Sequence, residues 1–357
     1  MVAAPRLRRP QRTYGPAGEL VVLHLSDPQF GRYHLFGGNG QTAADRDRDS
    51  LFVRLHEDLD KMAEKHALWP DLIVVTGDLA EWGLTSEFNQ VVEFLERLVE
   101  AVDLPRHRVA IVPGNHDINR KACEQYFLGE EADEREPVPP YWPKWRHFAA
   151  AFDRFYADAG WPGERAAFVP ERPWTLFEMA DLRVVIAGLN STMAESHREA
   201  DHYGLVGEAQ LAWFAERLRS YRNAGWLVLA AVHHNPLRRA VEDDENLRDA
   251  DDLDRILGHI AGGSGPVHLL LHGHTHDGRL HRLPSGLLAL STGSAAVTAE
   301  ARPAEVPNQY QLLNLRPDGV TALPGTREPT SLTVRLGPAT TAPTWTPTPG
   351  TTGSRWP

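Results

Sequence analysis

Five short apolar runs in this chain stop abruptly, and each stops on residues able to carry chemistry. Leu20–Leu25 ends at Ser26-Asp27, and Leu72–Thr76 ends at Gly77-Asp78. Arg108–Val112 gives way to Pro113-Gly114-Asn115-His116-Asp117, Trp226–Val232 to His233-His234-Asn235-Pro236, and Val267–Leu271 to His272-Gly273-His274-Thr275-His276. Runs of this length with such abrupt ends read as strands buried on both faces. Segments of helical spacing lie between them. Leu51, Leu55, Leu59 and Met62 share one face of a helix predicted over Asp49–Lys65. Phe88, Val91, Val92, Leu95 and Leu98 share a face over Ser86–Val99, where Ser86 is a capping residue type. Strands alternating with helices predict an α/β core. In such folds ligands sit outside the carboxyl ends of strands, which is where the five polar blocks fall.

The remaining segments complete the outline. Residues 119–170 break the rhythm and read as a helical insertion over one edge of the core. Within it Glu130–Pro140 is an acidic, Pro-rich loop, and Tyr141–Ala159 is aromatic with helical spacing. Thr175–Met179 and Arg183–Leu189 predict a hairpin turning at Ala180-Asp181. Helices are expected over Gly207–Tyr221 and Asp251–Ile260, and late β segments over Arg279–Leu283, Leu287–Ser291, Gln309–Leu315 and Val320–Leu323. That late run implies antiparallel pairing, hence mixed sheets. Residues 1–18 form an Arg/Pro/Gly-rich lead-in, 19–336 a single domain, and 337–357 a Pro/Thr-rich tail.

Composition narrows the chemistry. No run approaches the roughly 18 apolar residues of a membrane span. The basic start (Arg6, Arg8, Arg9, Arg12) is not followed by a signal-peptide core, so a cytoplasmic location is expected. A formal charge of −11 argues against a broad basic surface for duplex nucleic acid. Seventeen histidines accompany a single cysteine, Cys123. A disulfide within the chain and a thiolate cluster are both excluded, so any bound metal must be held by His, Asp and Asn.

Taken singly, each polar block is weak, because Gly-Asp pairs and lone histidines are common. Their order and shared position at strand ends give them meaning together. The ordered set resembles the calcineurin-like metallophosphoesterase superfamily, over roughly residues 20 to 325. The resemblance implies an α/β four-layer α-β-β-α sandwich with two mixed β-sheets and the metal site at the carboxyl ends of the strands. It implies two divalent cations, of Mn, Fe, Zn or Co type. Asp27, Asp78 and His276 would hold the first, and Asp78, Asn115, His233 and His274 the second. His116 would be the proton donor to the leaving group, oriented by Asp117. The nucleophile would be a hydroxide bridging the metals, and the substrate a phosphoester, such as a nucleotide or nucleic-acid end. This is sound chemistry for an anionic ester, which two cations neutralise and orient while lowering the pKa of a shared water. A mixed O/N donor set without thiolate suits those metals rather than a structural zinc.

One block departs from the family pattern. Asp27-Pro28-Gln29 stands where Asp-x-His is usual, so Gln29 either ligates the first metal through its weaker amide oxygen or only hydrogen-bonds near it. The segment after the second block, Leu79-Ala80-Glu81-Trp82-Gly83, lacks the Arg of the protein-phosphatase branch, and the third block ends in Asp117 rather than Glu. These features favour the phosphodiesterase-like branch. Phosphomonoesterase or nuclease activity from the same site is the alternative, and a metal-depleted regulatory or nucleotide-binding module the alternative of another class. Nothing in the sequence sets the oligomeric state.

The other polar candidates read as structural. His24 and His272 lie on strands and point away from the site. His233 is preferred over His234 as the ligand because it directly follows the apolar strand. Arg32, Tyr33 and His34 are expected in a solvated loop. Asn190 opens a polar loop bordering the site, in which His197 and His202 are surface residues. The aromatics of 141–161 are expected to cover a core.

Overall fold

The computed structural model describes residues 20–32, 34–35, 50–66, 68–163, 165–237, 246–258, 265–301, 303, 306–318 and 331–336. The 1–18 lead-in, Tyr33, the Val320–Leu323 segment and the 337–357 tail lie outside them.

Two mixed sheets face each other. The first contains β1 (Leu20–Leu25), β2 (Leu72–Thr76), β3 (Val109–Val112), β10 (Gln311–Asp318) and β11 (Ser331–Leu336), in the order β11-β10-β1-β2-β3. β1, β2 and β3 run parallel, while β10 is antiparallel to β1. The second contains β4 (Thr175–Met179), β5 (Val184–Gly188), β6 (Leu227–Ala231), β7 (Leu269–His272), β8 (Leu280–Arg282) and β9 (Leu288–Ser291), in the order β4-β5-β6-β7-β9-β8. Here β5, β6, β7 and β9 are parallel and the two edge strands antiparallel.

Side-chain alternation sets the layers. Val184, Ile186, Leu229, Ala231, Leu269 and Leu271 of the second sheet join the core shared with β1, β2 and β3. Their neighbours Val185, Ala187, Val228, Ala230 and Leu270 face the other way. There they pack against α5 (Glu208–Asn223) and α6 (Ala250–Leu257) through Leu211, Phe214, Leu218, Leu253 and Leu257. On the first sheet's side lie α1 (Leu51–His66) and α2 (Thr85–Ala101), which bury the stripes foreseen from their spacing. The result is the mixed α/β fold with two sheets and flanking helices.

The helix over α2 starts two residues earlier than Ser86 would set it as a cap. Leu84 is its N-cap and has no side-chain acceptor, but Glu87 at N3 makes the Glu half of a capping box by accepting the Leu84 N–H at 3.0 Å. In the insertion, α3 (Arg120–Ala132) occupies the stretch before the Pro-rich loop and extends three residues into Glu130–Pro140. Asn119 caps it by accepting the Ala122 N–H at 2.8 Å. A 3-10 turn (Trp142–Trp145) leads into α4 (Arg146–Tyr156), which packs edge-on against α2 through Phe148 and Phe88. Trp145, Phe148, Phe152, Phe155 and Tyr156 are buried, so these aromatics do cover a core. The Tyr156 hydroxyl donates to the Val109 carbonyl and ties the insertion to β3.

Candidate metal centre

The site forms where the carboxyl ends of β1, β2 and β3 meet those of β6 and β7. Beyond β1 and β2 the chain stays paired. The N–H groups of Asp27, Gln29 and Phe30 donate to the carbonyls of Gly77, Asp78 and Leu79, at 3.1, 2.9 and 2.7 Å. Nine described non-glycine residues have positive φ, and five of them are candidate ligands: Asp27 (52°), Gln29 (42°), Asp78 (51°), His274 (67°) and His276 (51°). Backbone strain of this kind costs about 1–3 kcal/mol per residue and persists where surrounding structure enforces it. Two glycines enforce the closeness. Gly77 has φ 89°, and a Cβ there would lie 2.6 Å from His233 Nδ1. At Gly114 it would lie 2.2 Å from Asp78 Oδ1.

Four donor atoms converge around one point. His233 Nε2 is 2.9 Å from Asn115 Oδ1, 3.2 Å from His274 Nδ1 and 3.3 Å from Asp78 Oδ2. Asn115 Oδ1 is also 3.2 Å from His274 Nδ1. Ligands bound to one cation at about 2.1 Å stand roughly 3.0–3.4 Å apart, so these four fit a single divalent ion. A second group adjoins it. His276 Nε2 is 3.2 Å from Asp27 Oδ1, and Gln29 Nε2 is 3.5 Å from Asp78 Oδ2. Asp78 thus lies between the two groups, as a shared carboxylate would. All seven residues named from the sequence are brought together, Gln29 through its amide beside Asp78.

The electrostatics fit a cation. Burial disfavours charge on Asp27 and Asp78, yet neighbouring imidazoles overcome it. His276 holds the Asp27 carboxyl below its ordinary range, and His233 and His116 hold that of Asp78 well below. Burial also opposes charge on His233, but the Asp78 carboxylate lifts its imidazole to about 10. The proton of His233 therefore occupies the place that a metal would take from it. Its other nitrogen, Nδ1, donates to the Thr76 carbonyl at 2.7 Å, which leaves Nε2 as the ligating atom.

The third block behaves differently from its expected division of labour. His116 donates from its main chain to Asp78 Oδ1 at 2.8 Å, and from ring Nδ1 to the Glu81 carbonyl at 2.9 Å. Nε2 is thereby the nitrogen left to meet a substrate. The resemblance has Asp117 orient His116; in the structure its carboxylate is fully buried and accepts the N–H groups of Gly114 (2.9 Å) and Ala80 (2.8 Å). It holds the second and third blocks together. Burial first, then the charge of Asp78, pushes its carboxyl up to about 7.

Other histidines are more structural than exposed. His24 is buried, with Nε2 3.0 Å from Thr76 Oγ1, and burial lowers it to about 4. His272 is buried and lowered to about 3. His34 is not solvated: it is buried, stacks on Phe30 at 4.5 Å and donates to the Pro28 carbonyl at 2.7 Å. His197 and His202 are half-buried rather than on the surface, and His197 packs edge-on against Phe127. Asn190 is buried and donates to the Pro173 carbonyl at 2.9 Å.

One network has no counterpart in the sequence reading. His234 turns away from the ligand group. Its Nδ1 meets Ser191 Oγ at 2.8 Å and its Nε2 meets Glu195 Oε1 at 3.4 Å, while its ring lies 4.8 Å from that of His274. The loop carrying Ser191 and Glu195 is fastened by Lys144. This fully buried ammonium donates to the carbonyls of Thr192 (2.7 Å), Met193 (3.1 Å) and Glu195 (2.5 Å). The one hint in the sequence is a lysine set between Trp142 and Trp145 in an apolar stretch.

Residues 20–278 match the calcineurin-like phosphoesterase family, and the chain belongs to it. Over 265 residues it is 27% identical to a cAMP/cGMP dual specificity phosphodiesterase of Mycobacterium tuberculosis, covering 73% of this chain and 63% of that protein. Over 209 residues it is 23% identical to a probable glycerophosphodiester phosphodiesterase of Arcobacter nitrofigilis, covering 58% of this chain and 57% of that protein. The chain therefore spans less than two thirds of the length of either relative. A dimetal phosphatase from Danio rerio has a similar fold, with a TM-score of 0.51 at 12% identity over 89% of this chain and 99% of that one.

Proposed function

We propose that this protein is a dinuclear metal-dependent phosphoester hydrolase acting on phosphodiesters. The observation that carries the reading is the convergence of Asp78, Asn115, His233 and His274 at ligand spacing, with Asp27, His276 and Gln29 adjoining through the shared Asp78. The phosphodiesterase names of its relatives favour diesters over monoesters. The absence of an Arg after the second block points the same way.

Asp27, Asp78 and His276 would hold one divalent cation, and Asp78, Asn115, His233 and His274 the other. Once bound, the cations neutralise the phosphate and activate a water towards hydroxide near neutral pH. The rest is the work of this chain's side chains. The Thr76 carbonyl keeps one proton of His233 on Nδ1, so Nε2 is the nitrogen that gives up its proton and turns its lone pair to a metal. Asn115 contributes a neutral oxygen, which keeps the site from being over-neutralised. His116 is anchored at both main chain and ring, with Nε2 directed outward. In its protonated form it delivers a proton from Nε2 to the departing alkoxide, while Nδ1–H stays on Glu81. Asp117 acts on geometry by locking the blocks that carry Asp78 and Asn115.

The test is metal content together with turnover. Protein equilibrated with Mn²⁺ is expected to bind two ions per chain and to hydrolyse bis-p-nitrophenyl phosphate. Asn115→Ala and His274→Ala are expected to cut kcat/KM at least a hundredfold and to lose metal. Full activity in either variant would overturn the site. Metal-free, inactive wild-type protein that still binds nucleotide would favour the regulatory module.

A further inference from the structure

We propose that Trp82 is a stacking platform for a flat aromatic group of the substrate, of nucleobase type, on the leaving-group side of the site. This deepens the phosphodiesterase reading and rests on it for the chemistry at phosphorus.

Among the described residues, Trp82 is the only aromatic among the large hydrophobic side chains left exposed, at 56%. The other described tryptophans are buried or half-buried. Its position is held firmly. Its indole N–H donates to Glu81 Oε1 at 2.9 Å, and its main-chain N–H donates to Glu87 Oε2 at 2.9 Å. The next residue, Gly83, has φ 61°, and a Cβ there would meet the Ile118 backbone at 2.7 Å. The Gly83 carbonyl also accepts from Asn119 Nδ2 (3.2 Å) and His147 Nδ1 (2.8 Å). On its other side, the Glu81 carbonyl accepts from His116 Nδ1 at 2.9 Å. The loop bearing Trp82 is thus fastened at both ends to the 116–119 segment, one residue from the contact that orients the proton donor.

The chemistry follows from this fixation. The indole's polar edge is already satisfied inside the protein, so what it offers outward is an apolar π-face. A ring restrained in this way loses little freedom when a second ring settles on it. Base–aromatic stacking needs only a flat face and is indifferent to which base is present. Because His116 serves the leaving oxygen, a group stacked on Trp82 belongs to the alcohol that departs.

The test compares two diesters on the full-length, Mn²⁺-loaded protein: 3′,5′-cyclic AMP, which carries a base, and glycerophosphoethanolamine, which carries none. In Trp82→Ala the ratio of their KM values is expected to rise about tenfold. Trp82→Phe should keep it within about threefold, and Leu84→Ala, at the exposed neighbour, should not move it. KM values that move together, or not at all, would overturn the proposal. So would concentration-dependent self-association that Trp82→Ala abolishes, since the ring would then serve a second copy of the chain. If the wild-type protein turns over no diester, the catalytic reading fails and binding decides the platform. AMP is then expected to quench wild-type tryptophan fluorescence and to leave Trp82→Phe unquenched. Equal quenching in both, or none in either, overturns it.

Discussion

At Gln29 an amide occupies a backbone station shaped like those of the neighbouring donors. Its φ of 42° matches the left-handed conformation of Asp27 and Asp78, and its amide already reaches Asp78. An imidazole placed there needs no new backbone. Gln29→His is therefore expected to raise occupancy of the ion nearest Asp27, measured as Mn per chain after dialysis against limiting metal. Unchanged occupancy would place residue 29 outside the coordination. A second expectation concerns acid stability. His34 and His268 are held neutral by burial, at about 4 and about 3, against 6.5 in the unfolded chain. Below pH 6.5 the unfolded chain takes up protons that the folded chain refuses, so stability is full above 6.5 and falls as pH drops toward 4. Between pH 7.5 and 5 each costs about 2 kcal/mol. Urea unfolding of His268→Gln should show a correspondingly shallower loss. The candidate donors could be picked out of the sequence because each block is local and sits at a strand end. The roles of Asp117 and Glu81 could not, because His116 is oriented by a main-chain carbonyl, which no side-chain pattern encodes.

At the scale of elements, strands β1 and β2 fall where their apolar runs predict, while α3 does not. The acidic, Pro-rich stretch masks the end of that helix, whose start depends on Asn119 as a cap. His34 departs from expectation for a related reason: a glycine-rich neighbourhood reads as solvated, whereas stacking on Phe30 and a bond to Pro28 bury it. The contact between Lys144 and the 192–195 loop joins residues about fifty positions apart, beyond the reach of any local pattern. Lys144→Met fills the same space but leaves three buried carbonyls without their donor. Orphaned polar groups cost about 1–3 kcal/mol each, and partial rearrangement should bring the total to about 3 kcal/mol. The measurement is thermal unfolding, paired with hydrogen exchange, which should speed up across residues 190–205 in the variant. Unaltered exchange there would show that the loop holds itself.

The whole molecule divides its donor set. Asp27, Asp78 and Asn115 follow strands of the first sheet, and His233, His274 and His276 follow strands of the second. Every candidate oxygen donor comes from one sheet and every candidate imidazole donor from the other, so cations held by the proposed site would join the two halves of the sandwich. Metal should consequently stabilise the fold as well as serve catalysis. At free Mn²⁺ a hundredfold above its Kd, the linkage is worth about 2.7 kcal/mol. EDTA should then lower Tm by about 4 °C, and excess Mn²⁺ should restore it. An unchanged Tm would mean that the ions do not bridge the sheets. That division was invisible in the order of the blocks, because strand order in a sheet is not chain order.

Lys144 has a consequence for life under metal scarcity. Burial lowers Lys144 to about 7, so it is the N–H bonds of its Nζ to three carbonyl oxygens, more than a fixed charge, that gather the loop, and this donor is covalently tethered and cannot be stripped by a chelator. The loop behind His234 is thus organised whatever the supply of transition metal. The 190–205 loop is therefore expected to keep its hydrogen-exchange protection in protein treated with EDTA, whatever happens to the neighbouring ligand group.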